Sequence, residues 1–169
     1  MKRLLLAALL SLPLAAPAFA KAERYSIDAE HTSVVFYVNH LGYSDMVGRF
    51  TTVKGEFTFD EAEPKNSAVT VTLRPADIQT SSPALDKKLQ GEKFFRADQF
   101  PDITFRSREI KVTGKNTADI TGDLTLLGVT KPVTLKARLN KAAVFPMHGK
   151  YVAGFSAEEH YARSFDGYV

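Results

Sequence analysis

Apolar and polar residues alternate along most of this chain, and a period of two is the pattern of half-buried strands, not of helices. In "TSVVFYVNHL", Val34, Phe36, Val38 and His40 share one face, with Val35, Tyr37 and Asn39 on the other. In "GRFTTVKGEFTFDE", Val53, Gly55, Phe57 and Phe59 alternate with Lys54, Glu56 and Thr58. "AVTVTLRPADI" sets Val69, Val71 and Leu73 against Thr70, Thr72 and Arg74. "RYSIDAE" precedes these segments, and "DITFRSREIKV", "TADITGDLTLLG", "KPVTLKARLN" and "KYVAGFSAEEHYARS" follow. Turn-forming clusters such as "EAEPKNS", where Pro64 and Asn66 break a strand, separate them. The reading is eight strands in an antiparallel meander, which at this length makes a barrel or a sandwich. An eight-stranded barrel holds either its own side chains or one elongated ligand, and the alternation is the same in both cases.

One stretch breaks the period. In "SSPALDKKLQGEKFF", Leu85 and Leu89 stand four apart, Ser82 is placed as an N-cap, Pro83 sits at the first helical position and Gly91 is a stop signal. These features predict a short helix inserted between the fourth and fifth strands, with a further helical turn over Glu92 to Ala97.

The N-terminus reads as an export signal, residues 1–20. Lys2 and Arg3 precede an apolar run from Leu4 to Leu14, and Ala18-Phe19-Ala20 is a small-x-small cleavage site. The run is too short for a membrane anchor. The expectation is therefore a single domain, residues 21–169, released into the periplasm after cleavage behind Ala20. The formal charge of +3 includes Lys2 and Arg3, so the cleaved chain is nearly neutral and no nucleic-acid partner is indicated. The chain contains no cysteine, which removes disulfides, thiolate metal sites and thiol catalysis from consideration.

Catalytic patterns are weak. His31, His40, His148 and His160 lack the two-apart or four-apart spacing of zinc ligands, so no metal site is predicted. No G-x-S-x-G elbow is present, and the neighbouring carboxylates Glu158 and Glu159 diverge on a strand. No catalytic residue and no cofactor are predicted. The aromatic content says more: 12 Phe and 6 Tyr without Trp. Phe36, Phe57, Phe59, Phe105 and Phe155 fall at alternating strand positions. Core packing is the ordinary reading of each ring; together with Phe94 and Phe95 on the helical insertion, where a lid would sit, they admit a cavity.

Four blocks, "YSIDAEHTSVVFYVNHLG", "GRFTTVKGEFTFD", "LDKKLQGEKFFRADQFPDITFRS" and "ITGDLTLLGVTKPVTL", stand in the order and spacing of the YceI-like polyisoprenoid-binding proteins. The chain resembles that family from about Tyr25 to Arg163. The resemblance implies an all-β, extended lipocalin-like barrel in the periplasm, often dimeric, that encloses a long isoprenoid lipid and is not known as an enzyme. It further implies that the insertion closes one end of the barrel and that the inward faces line a tunnel. The wall would begin with Phe36, Val38, Phe57, Phe59, Val71 and Leu73. Ile103, Phe105, Leu124, Leu126, Val133 and Leu135 would continue it, with Tyr151 and Phe155 on the last strand. Phe94, Phe95 and Phe100 would form the lid and its junction, and His40, Lys88, Arg96 and Arg163 would meet the headgroup at the mouth. Ion pairing with Asp86, Glu92 or Asp98 is the competing reading for those cations.

The chain departs from the family in two places. Lys88 stands where the family commonly has the histidine of Asp-x-His-Leu, and "ARSFDGYV" transposes the Asp and Phe of the usual Arg-x-Asp-Phe-Gly. A shortened end is expected to leave an uncapped sheet edge that stays open or pairs with a partner chain. The functional expectation is noncatalytic binding, sequestration or transport of a polyisoprenoid such as an isoprenoid quinone or polyprenyl phosphate, with transient membrane contact. The alternatives are a stress-response or structural protein with a filled barrel, and an enzyme acting on a lipid ester with His40 as base.

Overall fold

A computed structural model describes residues 22–159. Among the described residues the fold is all-β and built from ten strands. These are β1 (Glu23–Ser26), β2 (Val34–His40), β3 (Ser44–Phe50), β4 (Val53–Phe59) and β5 (Ala68–Leu73), then β6 (Ile78–Gln79), β7 (Ile103–Gly114), β8 (Thr117–Leu126), β9 (Val129–Val144) and β10 (Tyr151–Glu158). One helix, α1 (Pro83–Gln90), lies between β6 and β7. Seven strands form an antiparallel sheet in the order β1-β4-β5-β7-β8-β9-β10, and β2, β3 and β6 form a smaller one.

The larger sheet curls into a half-barrel. Its last strand comes back against its second: the Phe155 ring of β10 meets Phe57 and Phe59 of β4 edge-on at 5.6 and 5.2 Å. At the same end Tyr151 Oη donates to Glu61 Oε2 at 2.7 Å.

The ten strands correct the expected eight, and the difference has a local cause. The two extra strands come from stretches read as single runs although their apolar phase shifts at a corner, from Phe50 to Val53 and from Leu73 to Ile78. "GRFTTVKGEFTFDE" is not one strand, because the chain leaves the small sheet at Phe50 and joins the large one at Val53. The corner is held by Thr51, whose N–H and Oγ1 both donate to the Asp77 carbonyl at 3.1 and 3.0 Å. "AVTVTLRPADI" splits likewise at a short 3-10 turn, Pro75–Asp77, into β5 and β6. The signal segment and Arg163 lie outside the described residues.

The helix forms where its capping residues place it. Ser82 Oγ accepts from the Leu85 N–H at 3.4 Å, Pro83 opens the helix and Gly91 ends it. The expected helical turn over Glu92 to Ala97 is instead a set of tight turns. The Phe95 and Ala97 amides donate back to the Leu89 and Gln90 carbonyls at 2.9 Å each, which satisfies the helix's terminal acceptors and fixes Phe95 in place.

The core sits where the two sheets and this turn meet. Phe50, Ile78, Phe95 and Ile103 are buried together, with Val34, Phe36, Leu73, Leu89, Phe94, Leu124 and Leu126 packed around them.

Candidate functional site

Register decides which side chains share a face, since partners across an antiparallel ladder point the same way. On the half-barrel, Leu73 pairs with Ile103, Val71 with Phe105, Phe105 with Leu124, Ile120 with Leu135, and Leu139 with Phe155. One face is therefore mainly apolar from β4 to β10, interrupted by Lys131 opposite Leu124 and by Ser107 opposite Gly122. It includes Phe57, Phe59, Val71, Leu73, Ile103, Phe105, Leu124 and Leu126 of the predicted wall. Val133, Leu135, Tyr151 and Phe155 complete it.

The opposite face is polar. There Arg108 pairs with Asp123 at 3.5 Å, Lys136 with Asp119 at 2.8 Å, and Thr121 with Thr134 at 3.0 Å. A sheet so divided needs something apolar against its inner face.

Two clusters of rings bound that face. At one end Phe36, Phe50 and Phe95 pack in series, tilted and then edge-on, with centroids 5.5 and 5.9 Å apart. Phe95 is only 6% exposed. At the other end Tyr25 lies flat on Phe57 at 4.9 Å, and Phe57 and Phe59 meet Phe155. The first cluster is a closed plug, whereas the second is open to solvent: Phe155 remains 42% and Tyr151 40% exposed. The site is thus an apolar trough, plugged at the α1 end and open at the end where β9 turns into β10.

The plug revises the role expected of one residue. Phe95 was expected beside Phe94 in a lid, but its ring packs edge-on against Phe50 and belongs to the core, because the turn after α1 drives it inward. Phe94 is half-buried at the rim of the same cluster.

The expected cationic mouth does not assemble among the described residues. The Lys88 ammonium lies over the Phe94 ring at 5.8 Å, and the Arg96 guanidinium over Phe100 at 5.0 Å. Each cation is held by an aromatic neighbour of its own segment. Asp86 is not their partner: its Oδ1 accepts from both the N–H and the Oγ1 of Thr80 at 2.6 Å. His40 is exposed at the far end of β2, opposite Ser44, and Val38 before it is also exposed. They continue the face of Val34 and Phe36, but the β2–β3 hairpin runs out beyond the core there.

The remaining polar contacts at the open end involve two tyrosines. Hydrogen bonding to Glu61 raises the Tyr151 phenol above its ordinary range, and burial, followed by the charge of Glu23, raises Tyr25. Sequence patterning alone gives no sign of the Tyr151–Glu61 contact, which joins residues ninety positions apart in the chain. Among the described residues no group of three or more His, Asp or Glu is placed to hold a metal.

A curled antiparallel sheet with one mainly apolar face defines a barrel-type binding fold. The chain belongs to the YceI-like family, whose domain matches residues 25–164. It is 40% identical over 164 residues to a UPF0312 protein of Shewanella putrefaciens, covering 96% of this chain and 85% of that one. A UPF0312 protein of Pseudomonas aeruginosa is 45% identical over 138 residues, covering 80% of this chain and 71% of the other. Among solved structures, the Campylobacter jejuni YceI protein superposes with a TM-score of 0.64 at 32% identity, over 79% of this chain and 77% of that one. Burkholderia cenocepacia BcnA shares the fold, with a TM-score of 0.66 at 23% identity over 70% of this chain and 74% of that one.

Proposed function

We propose that this chain is a noncatalytic carrier that binds and shields a polyisoprenoid or similar long-chain lipid in the periplasm. The observation that supports this reading is the mainly apolar inner face of the half-barrel, plugged at one end and open at the other. Membership of the YceI-like family supports the same reading. Covering one isoprene unit gains about 4 kcal/mol over water at roughly 0.8 kcal/mol per methylene group. A bilayer offers the lipid the same gain, so a carrier needs only near parity with it, and branched aliphatic and aromatic walls provide that. No cofactor enters the proposal.

Headgroup selectivity does not arise from a cluster of His40, Lys88 and Arg96 in this proposal, since His40 lies at the far end of β2, beyond the core. The lipid tail lies along Val71, Phe105, Leu124 and Leu135, and its polar end emerges beside Tyr151. The test is to purify the chain from the periplasm of an expressing bacterium, extract it with organic solvent and analyse the extract by mass spectrometry. A stoichiometric prenyl lipid is expected. An extract without lipid, from a protein that also fails to bind added prenyl lipids, overturns the carrier reading.

A further inference from the structure

The open end of the trough carries a feature that lipid binding alone does not require. From Leu124 to Ala157 the chain has no aspartate or glutamate, yet it holds Lys131, Lys136, Arg138, Lys141 and Lys150 together with His148. Lys136 of this stretch is paired with Asp119, and Lys131, opposite Leu124, lies toward the plugged end, which leaves Arg138, Lys141, Lys150 and His148 toward the open end. The stretch forms β9 and β10, and β9 runs on past the start of β8: Thr117 pairs with Arg138, and β9 continues to Val144. The β9–β10 hairpin therefore projects beyond its neighbours at the open end.

The tip of this hairpin is apolar. Met147 is 86% exposed, and Val144, Phe145 and Val152 are exposed with it. The tip is also well ordered by its own contacts. The Phe145 N–H donates to the Lys150 carbonyl at 2.7 Å, the Gly149 N–H to the Phe145 carbonyl at 2.9 Å, and the His148 ring stacks on Phe145 at 4.7 Å.

The carboxylates of the adjoining turn form no ion pair with Lys141 or Lys150 among the described residues, although the charges of Glu61 and Glu23 lie close to Tyr151 at the base of the hairpin. Asp60 accepts from the amides of Ala62 and Glu63, Glu63 pairs with Lys65 at 3.1 Å, and Glu61 takes the Tyr151 hydroxyl. The exposed cations Lys141 and Lys150 flank the apolar tip, and Lys115 lies in the neighbouring β7–β8 turn at the same end.

From this combination we propose that the β9–β10 tip, residues 144–151, docks on an anionic lipid surface. Met147 and Phe145 enter the headgroup boundary, the lysines meet lipid phosphates, and the open end of the trough is brought against the bilayer. Its purpose rests on the carrier reading, because docking there lets a lipid pass between membrane and trough without crossing water. Charge complementarity selects this tip over the other exposed apolar hairpin. The β2–β3 tip exposes Leu41 and Tyr43, but between Val34 and Gly48 it has no Lys or Arg and carries Asp45.

The test uses the chain from Lys21 onward, which contains every described element, in flotation with phosphatidylglycerol-containing vesicles and with pure phosphatidylcholine vesicles. Binding is expected to the anionic vesicles only, and to weaken with salt. Lys141→Gln with Lys150→Gln should lower the partition constant about thirty-fold, at about 1 kcal/mol for each cation removed. Met147→Asp should abolish binding, while Leu41→Asp should leave it unchanged; circular dichroism checks that each variant is folded. The proposal is overturned if the parent chain does not float with anionic vesicles, or if Leu41→Asp weakens binding as much as Met147→Asp. A chain that yields lipid on extraction yet ignores vesicles overturns docking and leaves the carrier reading standing; one that floats but never holds lipid does the reverse.

Discussion

Replacing Phe95 by alanine tests how the plug is built. A lid residue could be truncated with little cost to the fold, whereas Phe95 is 6% exposed, clustered with Phe50, Ile78 and Ile103, and set edge-on to Phe50 at 5.9 Å. Removing a fully packed phenylalanine costs about 3–5 kcal/mol, from lost transfer energy and the cavity left behind. The ring pair contributes roughly 0.5–1.5 kcal/mol of that loss. Its neighbour Phe94 is half-buried and loses a contact with an exposed lysine, so Phe94→Ala should cost about 1 kcal/mol. Urea denaturation followed by circular dichroism, with both variants and the parent in the same buffer, measures the difference through the midpoints at constant slope. A stability loss for Phe95→Ala below about 1.5 kcal/mol, or equal to that of Phe94→Ala, would refute the assignment of Phe95 to the core.

Three further outcomes follow from the geometry. A Cβ at Gly122 would come within 2.6 Å of the Phe105 ring and would also meet the Arg106 carbonyl. Gly122→Ala should therefore destabilise by about 1–3 kcal/mol in the same assay, and Phe105→Leu should relieve part of that. The His31 imidazole is raised by its hydrogen bond to Asp28 at 2.9 Å, and the same bond lowers the Asp28 carboxyl. The sign is then fixed. The histidine contribution is present below its unfolded value and fades as pH rises through the raised one, and the aspartate contribution fades as pH falls through its lowered value. A proton NMR titration should place His31 above an ordinary histidine and return it to normal in Asp28→Asn, with little change in stability because both groups are exposed. Tyr151→Phe removes the hydrogen bond to Glu61 and should speed amide exchange across Lys150 to Val152 while exchange in β5 and β7 stays slow.

The strands, the helix and the apolar face could be read from the chain because each has a local signal. Alternation marks Val69, Val71 and Leu73, and Ser82, Pro83 and Gly91 mark the helix ends. The corners could not be read that way. At Thr51 and Pro75 the only local sign is a one-residue shift of the apolar phase, from Phe50 to Val53 and from Leu73 to Ile78, and what holds the first corner is a pair of hydrogen bonds from Thr51 to Asp77, distant in sequence. Phe95 was misplaced for a related reason: it sits in a turn with no period, and the backbone bonds to Leu89 and Gln90 that aim it inward leave no compositional trace. Lys88 and Arg96 carry the charge a headgroup site needs, but a cation's choice between a ring and a phosphate is made by packing. Val38 and His40 extend a correctly read face past the place where the core ends.

The central claim is that a lipid tail lies on the inner face of the half-barrel. A prenyl phosphate bearing a diazirine along its tail, photolysed with the protein and mapped by peptide mass spectrometry, addresses this directly. Saturable labelling should fall on Val71, Leu124, Leu135 and Phe155, whose side chains share that face, and should be competed by unlabelled prenyl lipid. Labelling confined to Thr70, Thr134 and the other outer-face positions, or to the groove of about 530 Å³ between α1 and β6, would contradict it.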